Sequence, residues 1–217
     1  MRIAIIGGHG QIALQLTRLL SERGNEVLAV IRNAAHTGDV EAVGGQPVVL
    51  DLEGPGADEL VAALSGVDAV VFAAGAGPGS GVERKYTVDR DGSVRLAEAA
   101  EKAGVRRFVQ ISTMGAGKPA AGGDEQWVAY IDAKTQAEND LRARDLEWTI
   151  LRPGRLTNES ATGQVLLSES VSAGSVPRAD VAAVLAELLI TGSAAGRVLE
   201  LISGDTPIEA AVAAIAG

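Results

Sequence analysis

The chain has 217 residues, 47% of them hydrophobic and 22% charged, with a formal net charge of -9. That length suits one domain with a large core, and so acidic a balance opposes the basic surface that phosphate-backbone binding needs, which excludes nucleic acid as a partner. The chain has no cysteine, which rules out disulfides and thiolate catalysis; with His9 and His36 as its two histidines, no metal site is expected. No apolar run approaches the roughly eighteen residues of a bilayer span, so no membrane contact is expected. With a first strand beginning at Arg2, no leader is expected ahead of the fold, and the cysteine-free composition fits a cytoplasmic protein.

Taken in order, the apolar run 2–6 reads as a buried strand and is followed by Gly7-Gly8-His9-Gly10-Gln11-Ile12-Ala13. Leu14, Leu16, Leu19 and Leu20 then supply the apolar stripe of a helix over 11–23. A glycine turn between a strand and a helix lets backbone N–H groups and the positive helix end approach a pyrophosphate, and Ala13 permits close helix-to-strand packing. Gly7, Gly8, His9, Gly10, Gln11 and Ile12 are therefore candidate dinucleotide contacts.

The second strand, 26–31, ends at Arg32, where an NAD-selecting protein commonly carries an acidic residue for the ribose. A guanidinium there suits the 2′-phosphate of NADP(H), which is the expected cofactor, with NAD(H) as the alternative. After a weak helical pattern near 34–43, strand 47–50 ends at Asp51 and Leu52, candidate contacts for adenine; Asp51 equally suits a local turn cap. A helix over 57–65 precedes strand 68–73, whose end, Ala73-Ala74-Gly75, is small enough for a ribose or ring to lie against backbone.

Strand 106–111 follows a helix over 83–103 and leads into Ser112 and Thr113, hydroxyls able to orient a substrate carbonyl. On the helix over 125–144, Tyr130 and Lys134 stand four residues apart and share a face, so the ammonium favours the phenolate and makes Tyr130 a candidate general acid or base. Strand 147–151, a helix over 178–191, strand 197–202 and a helix over 207–215 complete the alternation. This pattern predicts an α/β fold: a single doubly wound parallel-sheet Rossmann domain over 1–217, with helices on both faces. The segments Gly75–Gly81, Gly115–Gln126 and Thr157–Gln164, rich in small or polar residues, read as loops on the ligand rim.

Hydroxyl, Tyr130 and Lys134 together resemble the constellation of the short-chain dehydrogenase/reductase superfamily. The runs Val88-Asp89-Arg90-Asp91-Gly92-Ser93, Ala103 to Thr113, Leu151-Arg152-Pro153-Gly154 and Arg178-Ala179-Asp180-Val181-Ala182 are similar to landmarks of its atypical NAD(P)-binding branch, with sugar-epimerase-like, NmrA-like and flavin- or quinone-reductase-like members. The resemblance implies that Thr113 or Ser112 polarises the substrate, Tyr130 transfers the proton, Lys134 supports Tyr130 and the nicotinamide ribose, and Pro153 borders the nicotinamide. Two features depart from extended relatives: Asp89 stands where Asn is common, and the carboxyl-terminal substrate region is minimal. The expected activity is an NADP(H)-dependent oxidoreductase acting on a small carbonyl, quinone or flavin; the alternatives are a non-catalytic NADP(H)-binding sensor and a nucleotide-sugar epimerase-like enzyme. A small-molecule substrate is the expected partner. A homodimer or a protein partner stays open, because the leucines of helix 178–191 suit either a core or an interface.

Overall fold

The computed structural model describes residues 1–215 apart from 55, 56, 78 and 121, so Pro78 and Ala121, within two of the expected loops, and the last two positions of the 1–217 domain lie outside the described residues. In chain order the strands are β1 (Arg2–Ile6), β2 (Glu26–Ile31), β3 (Gln46–Val49), β4 (Ala69–Phe72), β5 (Arg107–Ile111), β6 (Glu147–Pro153), β7 (Arg155–Thr157), β8 (Gln164–Ser168), β9 (Ser175–Pro177), β10 (Arg197–Ser203) and β11 (Thr206–Pro207). The helices are α1 (Gln11–Glu22), α2 (Thr37–Ala42), α3 (Ala57–Ala63), α4 (Val82–Arg84), α5 (Asp91–Ala103), α6 (Glu125–Arg142), α7 (Arg178–Thr191) and α8 (Ile208–Ile215). Between α4 and α5 the segment Lys85–Arg90 is wound as a π-helix, so residues 82–103 form one helix with a wide turn inside it.

Among the described residues, nine strands form one sheet in the order β11-β8-β10-β6-β5-β4-β1-β2-β3. The seven from β3 to β10 run parallel, which requires crossover connections and explains why helices cover both faces. The expected parallel sheet is thus extended by β8, which pairs antiparallel with β10 and with β11. The segment expected to be a loop over 157–164 is bounded by β7 and β8, and β7 pairs with β9 in a separate two-stranded sheet.

Strand alternation divides the core. Ile3, Ile5 and Val71 face α1, α7 and α8, packing with Leu16, Leu20, Leu185 and Val212. Ala4, Ile6, Val70 and Phe72 face the opposite layer, with Leu60, Leu64, Leu96 and Leu141. Leu185, Leu188 and Leu189 of α7 lie in the first of these cores rather than at a surface open to a partner. From β1 the chain moves outward to β2 and β3, then returns to β4 and continues the other way. The strand order therefore reverses between β1 and β4, and a crevice opens there beyond their carboxyl ends, where ligands bind in open α/β sheets.

Candidate functional site

The glycine turn occupies this crevice. Gly7 has φ +81, and a Cβ placed on it would lie 2.6 Å from Ala74 Cα; a Cβ on Gly8 would lie 2.6 Å from the Ala29 methyl. Gly7 therefore allows the close approach of the β1 and β4 ends, while Gly8 packs the turn onto β2 and lines neither of the two clefts at this rim. Gly10 precedes α1 without any side-chain cap, leaving the first-turn amides for a ligand. Two clefts, of about 780 and 980 Å³, meet at His9, Gly10, Ala73, Ala74 and Gly75 and together form one trough across the rim.

The first half of the trough, lined by Arg32, Asp51, Leu52, Glu53 and Arg84, suits an adenosine moiety. The Arg32 side chain is 59% exposed, and its Nη1 lies 3.5 Å from Glu53 Oε2. Arg84, which the sequence reading did not single out, donates from Nη2 to the same oxygen at 2.6 Å, and Thr87 Oγ1 donates to Glu53 Oε1 at 2.7 Å. The Thr87 hydrogen bond, then Arg84 and Arg32, hold the Glu53 carboxyl below its ordinary pKa of 4.5 despite partial burial. Asp51 serves the turn at home, its Oδ1 accepting from the Glu53 amide at 3.0 Å, while it also faces the trough. The His9 and His36 rings stack at 3.6 Å, with His9 Nε2 2.8 Å from Asp39 Oδ2.

The second half is lined by Gln11, Ile12, Lys85, Asp89, Ser112, Trp127, Tyr130, Lys134 and Arg178. Tyr130 is half-buried, and the ammonium groups of Lys85 and Lys134 each lie 5.8 Å from its ring centroid. Among the described residues its hydroxyl makes no hydrogen bond, and Tyr130 lines the trough, where the phenol is free for a ligand. Lys134, 3% exposed, lies 3.1 Å from an oxygen of Asp89, itself 1% exposed, and donates to the Ile111 carbonyl at 3.2 Å. Burial alone would push the Lys134 ammonium toward neutrality; the Asp89 carboxylate and then Tyr130 outweigh it, and the pKa stands above the ordinary lysine value. An ammonium has three donors, so one remains for a ribose hydroxyl. Asp89 also accepts from the Ala76 amide at 3.1 Å, and Lys85 donates to the Gly77 carbonyl at 2.5 Å. Both tie the loop after β4 to the wide-turn helix. Asp89 and Lys85 are thus site residues that the sequence marked only as a departure or not at all.

The structure does not bring every expected residue into the trough. Ser112 lines it, but its hydroxyl donates to the buried Glu138 carboxylate at 2.5 Å, and Arg152 closes on the same carboxylate. Thr113 is half-buried and outside the lining, its hydroxyl reaching the Met114 carbonyl at 3.4 Å. Pro153 is buried, accepts from the Met114 amide, and does not line the trough; Leu156 of β7 does. Among the described residues no three His, Asp or Glu side chains gather into a metal-ligand set, and no helix is long and apolar enough to cross a membrane.

Sheet order, glycine turn and trough define a Rossmann-type nucleotide-binding protein. Residues 7–191 match the model of the NAD(P)H-binding family. The chain belongs to that family, within the atypical short-chain dehydrogenase/reductases. It is 35% identical over 217 residues to the uncharacterized sugar epimerase YhfK of Bacillus subtilis, covering 98% of this chain and 99% of that one. A solved Bacillus halodurans protein, described as a candidate NAD-dependent epimerase/dehydratase, superposes with TM-score 0.92 at 35% identity, covering 99% of both chains. ChuY, an anaerobillin reductase from Escherichia coli O157:H7, superposes with TM-score 0.79 at 26% identity, covering 94% of this chain and 98% of its own.

Proposed function

We propose that the chain is an NADP(H)-dependent reductase whose acceptor is a small conjugated carbonyl compound, a quinone or a flavin. The observation that carries this reading is the Tyr130 phenol, free in the wall of the trough and flanked by two buried ammonium groups, on the rim that also bears the glycine turn. The bound nicotinamide cofactor supplies the hydride. Gly7 and Gly10 admit its pyrophosphate, Arg32 and Arg84 take the 2′-phosphate, and the free donor of Lys134 takes a ribose hydroxyl. Tyr130 delivers the proton from its hydroxyl to the reduced acceptor, and Lys85 and Lys134 stabilise the phenolate left behind.

The engagement of Ser112 with Glu138 and the position of Thr113 outside the lining favour acceptors that do not need a hydroxyl to polarise an isolated carbonyl. Trp127 offers such an acceptor a flat face, and Arg178, whose Nη1 donates to Asn158, offers a cation for an acidic substituent. The reductase named among the similar structures supports the same class of reaction. The cysteine-free composition fits a reducing compartment, and the cytoplasm is the one proposed.

The test follows NADPH absorbance loss with quinones, flavins and aldehydes. Turnover should be seen with conjugated acceptors and fall about a hundredfold in Tyr130→Phe, the usual scale for losing a general acid. Turnover unmoved by that substitution would remove Tyr130 as donor. Tight NADPH binding with no acceptor consumed would instead identify a sensor, and retained NADP with no net consumption an epimerase.

A further inference from the structure

We propose that the Glu53 side chain is a built-in occupant of the seat for the cofactor's 2′-phosphate, a specificity-determining group that the phosphate must displace. The proposal rests on the NADP(H) reading above. The donors that converge on Glu53, two guanidinium groups and one hydroxyl, form a set suited to a phosphate monoester, which offers three anionic oxygens where a carboxylate offers two. Arg32 stands just past the end of β2, where the ribose 2′ position is read, and from the wide-turn helix Arg84 reaches the same carboxylate oxygen as Arg32 and Thr87 the other. A phosphate within reach of Arg32 and Arg84 would face the Glu53 carboxylate at close range. Two anions cannot share the seat without repulsion, so one leaves.

The local backbone lets the side chain go alone. The Glu53 amide is held by Asp51 Oδ1 and the Gly54 amide by the Asp51 carbonyl at 3.1 Å, so the turn stays fixed while the carboxylate swings outward. Its side chain is 28% exposed and has water to move into. The carboxylate keeps Arg84 and Thr87 in place before the cofactor arrives, at the cost of weakening the complex it prepares.

The test uses adenosine 2′,5′-bisphosphate and adenosine 5′-monophosphate in calorimetric titrations, so that no nicotinamide contact contributes. Glu53→Gln, which keeps the hydrogen-bonding shape without the charge, should bind the bisphosphate about fivefold more tightly, the scale of one partly exposed ion pair, with the monophosphate unchanged within about twofold. An unchanged or weaker bisphosphate affinity would overturn the proposal. So would a parallel loss for both ligands, which would make Glu53 a ribose contact. Should Glu53→Gln fold poorly, Arg84→Gln should weaken the bisphosphate about tenfold and spare the monophosphate, and no difference would overturn it equally. A wild-type protein that does not prefer the bisphosphate, and in which Arg32→Ala changes nothing, sinks the cofactor reading itself. A preference that is present but indifferent to Glu53 sinks the displacement alone.

Discussion

The two halves of the trough hold their charges in opposite ways. In the half beyond the end of β2, Arg32, Arg84 and Glu53 meet at the surface, where ion pairs are screened and easily rearranged. In the half that Tyr130 lines, Lys134 and Asp89 meet almost fully out of water, where neither charge can stand alone. The contrast suits the roles proposed for them, since selecting a cofactor needs adjustable contacts and a proton donor needs a fixed field around it. One helix serves both: Arg84 and Val88 face the first half, and Lys85 and Asp89, one residue along, face the second.

The most drastic break in the comparison is at the turn both halves share. Gly7→Val sets a Cβ against the Ala74 backbone at a positive φ, so titration should show cofactor affinity falling more than about a hundredfold, with a melting transition lowered by strain on the order of 2–4 kcal/mol. Next comes the buried pair. Asp89→Ala leaves the Lys134 ammonium unpaired in the interior and should cost about 3–5 kcal/mol in denaturant unfolding, little altered by salt. If the loss proves below about 1 kcal/mol, the contrast between the halves fails.

Arg32→Ala should act on one side only, weakening NADPH about tenfold while leaving NADH and the unfolding midpoint nearly unchanged. The smallest effect is in pH. Because Glu53 is held below its ordinary pKa of 4.5, its contribution to stability is complete above that value and is lost as pH falls through the lowered one. The melting-temperature gap between wild type and Glu53→Gln should therefore close between about pH 5 and about pH 2, and a gap that widens on acidification would contradict the ion pairing described.

The Rossmann half was legible because its inner parallel strands are buried on both sides and so appear as short apolar runs, followed by turn residues and a helical stripe. Tyr130 and Lys134 were legible for a related reason: a four-residue spacing in a regular helix is enough to bring them together. Residues 155–177 were not. Their strands exist through distant partners, Leu166 opposite Ile202 and Leu156 opposite Val176, and nothing in their own Ser-rich composition records that pairing. The hydroxyls failed similarly. Ser112 and Thr113 lie just beyond β5, and it is Glu138, 26 positions away, that claims the Ser112 hydroxyl. Arg84, Lys85 and Asp89 were hidden inside what reads as an ordinary helix over 83–103, since its apolar pattern does not announce the wide turn.

That turn sets the phase of everything before it on the helix. A π-turn holds about one residue more than an α-turn, and each α-helical residue rotates the chain by roughly 100°. Removing one residue between 85 and 88 would restore a regular helix and swing Arg84 away from Glu53 and Lys85 away from Tyr130, while Asp89 kept its hold on Lys134. A chain one residue shorter here would keep the Lys134–Asp89 pair and lose the Arg84 contact to Glu53. The wide turn thus lets one helix supply side chains to both halves of the trough at once.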